Sequence, residues 1–248
     1  MTKMVAYKSN GMVLERFRTL EKRRVHFNVR SLLWGFFGII GHSFFRKSPP
    51  HKNIDGLRLL NLGCGDRRIE GWVNADFYRL HNILWKRHNL PDWLIDITKP
   101  LRCDDNFWDG VLVEHVIEHI LYIQNFELLT EIFRIIKPNA ILRVIVPDLD
   151  RYLDWENLRE IELKMARYGS LAEAVSNITQ NHAHKSVWNE ALMSEVLNEI
   201  GFVDIKRKSF RVSASERMAV DAEGHRWESL YMEARKPQGN NKLKRLVM

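Results

Sequence analysis

The chain has 248 residues, 45% of them hydrophobic, enough to bury one substantial core and an appendage. Its two cysteines, Cys64 and Cys103, form no C-x-x-C pair, so neither a disulfide framework nor a thiolate zinc cage is supported, and a reducing cytoplasm fits. The net charge of +7 is uneven: residues 1–60 hold 12 Lys/Arg against 3 Asp/Glu and the remainder 26 against 28, so no basic stripe for nucleic acid is expected on the main domain.

Residues 1–50 form a basic, partly apolar arm. Its run SLLWGFFGIIGHSFF, 31–45, falls short of the roughly 20 residues that cross a bilayer. Thirty residues precede it and Phe-Phe-Arg-Lys comes after it, an order unlike a secretory signal. The arm is read as a helix packed on the domain or on the second subunit of a homodimer. The rival reading is an interfacial segment, with Trp34 dipping into headgroups at the inner face of the membrane. Ser48-Pro49-Pro50-His51 then breaks any helix and opens the main domain, taken as 51–237, with a basic tail at 238–248.

Within that domain short apolar runs alternate with helical patterns. Strands are expected at LRLLNLG (57–63), GWVNADF (71–77), DWLIDI (92–97), WDGVLVE (108–114) and AILRVIVPD (140–148). NFELLTEIFRIIKPN has helical spacing and ends at Lys137-Pro138-Asn139. From Asp148 the pattern turns helical, and residues 148–185 are read as a helical insertion over the carboxyl edge of the sheet. NEALMSEVLNEI is a further helix closed by Gly201, and strands FVDIKRKSF and ESLYMEARK come after it. Parallel strands need crossover connections and bury both faces, so the class is α/β.

The stretch LLNLGCGDRRIEGWVNAD carries the chemistry. A strand running into Gly63-Cys64-Gly65 puts two glycines in the first strand-to-helix turn, where a ligand can approach the backbone. Asp76, 13 residues after Gly63, ends the next strand, where a carboxylate can accept from both hydroxyls of a ribose. A dinucleotide fingerprint needs a third glycine and an acid about 20 residues on, so a ligand without phosphates, such as an adenosine with a methionine tail, is preferred.

With the motifs LNLGCG…GWVNAD, DITKPL…D, FWDGVLVEHVIEHI, LRVIVPDLDRYL and ESLYMEARKP in order from Leu57 to Pro237, the sequence resembles the class I S-adenosylmethionine-dependent methyltransferases. More narrowly, it resembles the bacterial branch found with surface-polysaccharide genes. The resemblance implies a Rossmann-like, mostly parallel seven-stranded sheet with helices on both faces, and S-adenosylmethionine as cofactor. It implies that Gly63, Cys64 and Gly65 pack against the methionine part, that Asp76 holds the ribose with Phe77 against the adenine, and that Asp96 accepts from the adenine amino group with Ile97 beside it. Glu114 and His115, ending the fourth strand, would border the sulfonium and the acceptor. Asn61 stands where many members have an acid, and Asp66 where many have a third glycine. Taken without the glycine turn, Asp76 and Asp96 would be read as turn caps.

A hydroxyl acceptor must lose its proton, and a histidine or a buried carboxylate suits a base working near neutrality. His115 is the first candidate, Glu114 the second and His184 the third. Asp148 and Tyr152 are expected to shape the acceptor pocket. By resemblance the acceptor is a sugar hydroxyl on a nucleotide sugar or a lipid-linked glycan. His115-Val-Ile-Glu118-His119 also fits the H-x-x-E-H pattern of a zinc hydrolase, but the residues before it are strand-like. No metal is therefore expected, and Glu118 and His119 are read as fixing the turn. A catalytically inactive partner protein built on the same fold is the other alternative.

Overall fold

In the computed structural model the residues described are 12–22, 48–77, 90–154 and 168–239. The apolar run 31–45, the basic tail from 240 and the middle of the expected insertion, 155–167, lie outside them. No helix among the described residues is long and apolar enough to cross a membrane.

The strands are β1 (Leu59–Leu62), β2 (Val73–Asp76), β3 (Trp93–Leu94), β4 (Trp108–Glu114), β5 (Ile136–Pro147), β6 (Val203–Lys208) and β7 (Ser229–Arg235). They form one sheet in the order β3-β2-β1-β4-β5-β7-β6, parallel except where β7 runs against both β5 and β6. The third strand is shorter than its apolar run: only Trp93 and Leu94 pair with β2, and Asp96 lies in the turn beyond. The fifth begins earlier than expected, because Asn139 adopts φ 64° and lets the chain bulge between the pairs Trp108–Ile136 and Gly110–Ile141.

The helices are α1 (Met12–Lys22), α2 (Tyr122–Ile135), α3 (Leu149–Leu153), α4 (Leu171–Gln180) and α5 (Glu190–Ile200). Asn189 caps α5 by accepting from the Leu192 N–H at 3.0 Å, and Gly201, at φ 113°, ends it in the left-handed conformation that a side chain disfavours. Part of the basic arm joins the core. Val13 and Phe17 of α1 are buried, and the Phe17 ring stacks on Tyr122 with centroids 4.6 Å apart.

Alternation along the strands sorts the two faces. Leu60, Leu62, Val111, Val113, Leu142, Val144, Leu230 and Met232 point into one large cluster with α1, α2 and α5. Leu59, Leu112, Ile141, Ile145 and Tyr231 point the other way, against Ile54, Trp72, Phe210 and Met218. Gly110 belongs to this second face, where an added Cβ would lie 2.7 Å from the Met218 sulfur. The same alternation puts Asn61, Glu114, Arg143, Ser229 and Glu233 on the second face, so polar groups are buried there and must pair.

They do. Arg143 is fully buried and grips Asp221 through two bonds of 2.7 and 2.5 Å and Glu233 through one of 2.8 Å. The triad fixes the segment 209–222 against β5 and β7. Nothing in the sequence pattern singled out these three residues, since their pairing partners are 78 and 90 positions away.

Candidate functional site

The order of strands reverses between β1 and β4: β2 and β3 lie to one side, β5 onward to the other. Loops leaving the carboxyl ends of these two strands diverge, and the crevice between them is where open α/β sheets bind ligands. The loop after β1 is Gly63-Cys64-Gly65; β4 ends at Glu114, with His115 next in the chain. The two stretches expected to carry chemistry are therefore brought to one place.

Gly63 (φ 74°) and Gly65 (φ 53°) both take left-handed conformations, for different reasons. At Gly63 a Cβ would come within 2.3 Å of Val116 Cγ2, so the β1 turn packs directly on the chain leaving β4. At Gly65 a Cβ would meet nothing within 4 Å, leaving backbone that a ligand can approach. The N–H groups of Gly63 and Cys64 both bond to the Ala75 carbonyl, and the Gly65 N–H bonds to the Asp76 carboxylate at 2.5 Å. Asp76 also accepts from the Phe77 N–H at 2.5 Å. Burial raises its pKa above the usual aspartate value, opposed by those two N–H groups. Each oxygen keeps a further lone pair for a ligand hydroxyl. Phe77 is exposed beside it. Cys64 is buried and its thiol is pushed up to about 12, chiefly by that burial, which makes it a poor nucleophile.

Asp96 Oδ1 accepts from the N–H and hydroxyl of Thr98, at 2.9 and 2.6 Å, and so caps its own turn; Ile97 packs on the edge of the main core. Asn61 donates to Asn74 Oδ1 at 3.0 Å and to the Arg67 carbonyl at 3.1 Å. An amide serves there because Asn74 and the loop supply acceptors.

Glu114 is held firmly. Arg67 pairs with one oxygen, while the Ala222 N–H bonds to the other at 2.8 Å; Arg67 also bonds to the Val220 carbonyl. Through Asp221 the same segment is anchored on Arg143, so the glycine loop, β4 and the buried triad are mechanically joined.

His115 leaves the strand at φ 51°, which stops a helix from continuing through the H-x-x-E-H stretch. The chain makes only a 3₁₀ turn there, Ile117–His119. Nε2 of His115 lies 2.9 Å from the Ser229 hydroxyl and its Nδ1 3.1 Å from Glu118 Oε1, and its ring lies over that of His225 with centroids 4.1 Å apart. Ser229, His115 and Glu118 thus stand in the order of a hydrolytic triad. Ser229 is buried, however, and gives its proton to the His225 carbonyl at 2.6 Å, so it offers no nucleophile.

His184 lies elsewhere than beside Glu114. Its ring meets His119 edge-on at 4.9 Å, and its Nδ1 gives an N–H to the Ile178 carbonyl at 2.8 Å. Among the described residues two groups of possible metal ligands result: His115, His225 and Glu228, and Glu118, His119 and His184, in each of which the donor atoms lie within 4.8 Å of one another. Asp148 and Tyr152 are fully committed inside the protein. Asp148 pairs with Arg207 at 2.8 Å and caps α3, and the Tyr152 hydroxyl donates to Glu228 at 2.5 Å. Both are buried, with their polar atoms engaged within the protein.

No family model matches the chain, and no curated protein does. Among solved structures, an S-adenosylmethionine-dependent methyltransferase from Archaeoglobus fulgidus aligns over 91% of this chain and 98% of its own at 17% identity, with a TM-score of 0.45. Phosphoethanolamine N-methyltransferase 2 of Haemonchus contortus, in complex with S-adenosyl-L-methionine, aligns over 81% of this chain at 16% identity, with a TM-score of 0.44. The aligned part is 52% of that protein's length. The CurJ carbon methyltransferase aligns over 76% of this chain and 50% of its own at 13% identity, with a TM-score of 0.44.

Proposed function

We propose that this protein is an S-adenosylmethionine-dependent methyltransferase that methylates a hydroxyl of a sugar or glycan intermediate. The observation that carries the reading is the pairing, at the switch point of the sheet, of a two-glycine turn after β1 with a carboxylate ending β2, joined by the Gly65–Asp76 bond. This is a nucleoside bed without the third glycine of a pyrophosphate site. The residues fit the cofactor: Gly65 leaves backbone open to approach, Asp76 can accept from ribose hydroxyls, and Phe77 offers an exposed ring beside them.

When bound, the cofactor supplies an electrophilic methyl group whose leaving sulfur needs no acid. The chain's own work is to hold the acceptor and take its proton, and positioning alone is worth roughly 7–11 kcal/mol. Of the three candidate bases, the geometry favours His115. Glu114 has both oxygens engaged by Arg67 and Ala222 and serves to fix the cleft, and His184 belongs to the cluster around His119. Glu118, facing Nδ1, would stabilise the imidazolium once His115 takes a proton. An acceptor hydroxyl reaching Nε2 must displace the Ser229 hydroxyl from it.

The sugar acceptor rests on the resemblance of the sequence motifs, and the basic arm suits an acceptor carried on an anionic lipid. Calorimetry with S-adenosylmethionine tests the reading, with NAD as the control ligand. Saturable binding of the former, lost in Asp76→Ala, is expected; binding of NAD instead would refute it. Transfer of a labelled methyl group to nucleotide sugars and lipid-linked glycans then tests the acceptor.

A further inference from the structure

The carboxylate of Glu118 is 2% exposed; Oε1 faces His115 Nδ1 at 3.1 Å, and among the described residues Oε2 has no hydrogen-bond partner. A buried carboxylate oxygen left without a partner is costly and suits a cation. His119 and His184 each present a ring nitrogen to it, all three donor atoms lying within 4.8 Å of one another. We propose that Glu118, His119 and His184 form a binding site for a divalent first-row transition-metal ion.

Three further observations support the site. The first is tautomeric. His184 commits Nδ1–H to the Ile178 carbonyl, which leaves the lone pair of Nε2 for a ligand. A second ring nitrogen fixed on a backbone carbonyl is the usual orienting partner of a metal-bound imidazole.

The second is rigidity. The two chain segments that carry the ligands are clamped together: the N–H groups of Lys185 and Ser186 both bond to the Glu118 carbonyl, at 2.7 and 3.1 Å, and the Ser186 hydroxyl bonds to the Ile117 carbonyl at 3.0 Å. His182 and Ala183 are held at φ 55° and 60°, a strained turn that delivers His184 to the site. Ligand bonds of about 2.0–2.2 Å put donors roughly 3–4 Å apart, so closing on an ion needs movement of no more than about 1 Å.

The third is contrast. The neighbouring group of His115, His225 and Glu228 satisfies itself: Glu228 accepts from Tyr152 and faces His225 Nδ1 at 2.9 Å, and His115 Nε2 faces Ser229. Of the two groups, the one around Glu118 holds a buried carboxylate oxygen, Oε2, with no hydrogen-bond partner among the described residues.

Two imidazoles and one carboxylate suit Zn²⁺, Mn²⁺, Fe²⁺ or Co²⁺ better than Mg²⁺ or Ca²⁺, and three protein ligands leave a position for water or an acceptor oxygen. The set differs from the H-x-x-E-H reading, in which His115 and His119 would be ligands on one helix face. The turn at His115 breaks that helix, so Glu118 becomes a ligand and His184 replaces His115. The proposal shares Glu118 with the methyl-transfer reading, in which that carboxylate faces His115, and its test is read from metal binding alone.

The test uses the full chain without a polyhistidine tag, stripped with a chelator, and measures binding of Zn²⁺ by calorimetry and of Co²⁺ by its visible spectrum. One equivalent of each ion is expected, weakened at least ~10-fold by Glu118→Gln and by His184→Ala and unchanged by His225→Ala. Near-UV circular dichroism establishes that the variants are folded. Absence of stoichiometric binding to the wild type, binding that survives both ligand variants, or binding lost in His225→Ala overturns the proposal. S-adenosylmethionine calorimetry on the stripped protein reports separately on the methyltransferase reading.

Discussion

Nδ1 of His115 lies 3.1 Å from Oε1 of Glu118 while Nε2 of the same ring lies 2.9 Å from the Ser229 hydroxyl. Ser229 spends its proton on the His225 carbonyl, so towards His115 it can only accept. While Ser229 is in place the neutral ring holds its N–H at Nε2; acting as a base there requires an acceptor hydroxyl to displace Ser229 and the N–H to be at Nδ1, donated to Glu118. His115→Ala should lower methyl transfer by at least ~10²-fold, the usual contribution of a positioned base, and leave S-adenosylmethionine affinity unchanged. Single-turnover transfer and calorimetry, measured together, check this; full transfer in the variant would remove His115 from the chemistry.

Asp76 gives a pH prediction. Its pKa is raised by burial above the ordinary 3.8, so the charged form needed to accept from a ligand is lost at a higher pH than for a free aspartate. Affinity for S-adenosylmethionine should fall as pH drops through that raised value, and Asp76→Asn should flatten the dependence. The stability effect has the opposite sense: the folded protein holds this proton more tightly than the unfolded chain, so the contribution is greatest below 3.8 and is lost as pH rises through the folded value.

Substitution of the two glycines should separate packing from binding. Gly63→Ala meets both the left-handed backbone and Val116 and should cost about 2–4 kcal/mol in urea unfolding. Gly65→Ala meets only the backbone and should cost about 1–2 kcal/mol. Its larger effect should be on cofactor affinity, because the new methyl group enters the space a ligand needs. Equal stability losses with unchanged affinity would contradict this division.

Arg143 anchors the segment that holds Glu114 and Arg67. Arg143→Met strands Asp221 and Glu233 in the interior and should destabilise the fold by about 3–5 kcal/mol. The triple replacement with Asp221→Leu and Glu233→Leu should recover much of that loss, since no buried charge is left unpaired. Equilibrium denaturation of the two proteins decides it.

His225 and Glu228 form a pH-dependent contact. The hydrogen bond to Glu228 raises the pKa of His225 above 6.5, against the effect of burial. The stabilisation is present in full below 6.5 and is lost as pH rises through the higher folded value. A thermal melting series over that range should show the decline in the wild type and a flatter profile in Glu228→Gln.

Strands, class and the glycine turn facing a carboxylate were legible because they depend on short-range order. Apolar runs of buried parallel strands, two glycines in a turn and an acid at the next strand end are all read within 20 residues. Even the shortened third strand shows where that reading fails, since the pairing of β2 with β3, and not hydropathy, set its length. Tertiary structure decided what lies far apart in the chain. Arg143 could be known as a buried cation only once Asp221 and Glu233 were placed around it, and Asp148 and Tyr152, written beside the cleft in sequence, turned inward to Arg207 and Glu228. His184 and Glu118 are 66 positions apart, and what unites them is a left-handed turn at His115 and a backbone clamp from residues 185 and 186. The sequence by itself determined the sheet and the glycine turn at its edge, because local propensity and alternation suffice for them. The long-range pairing of buried charges, which each demand a partner, was decided only by the folded chain.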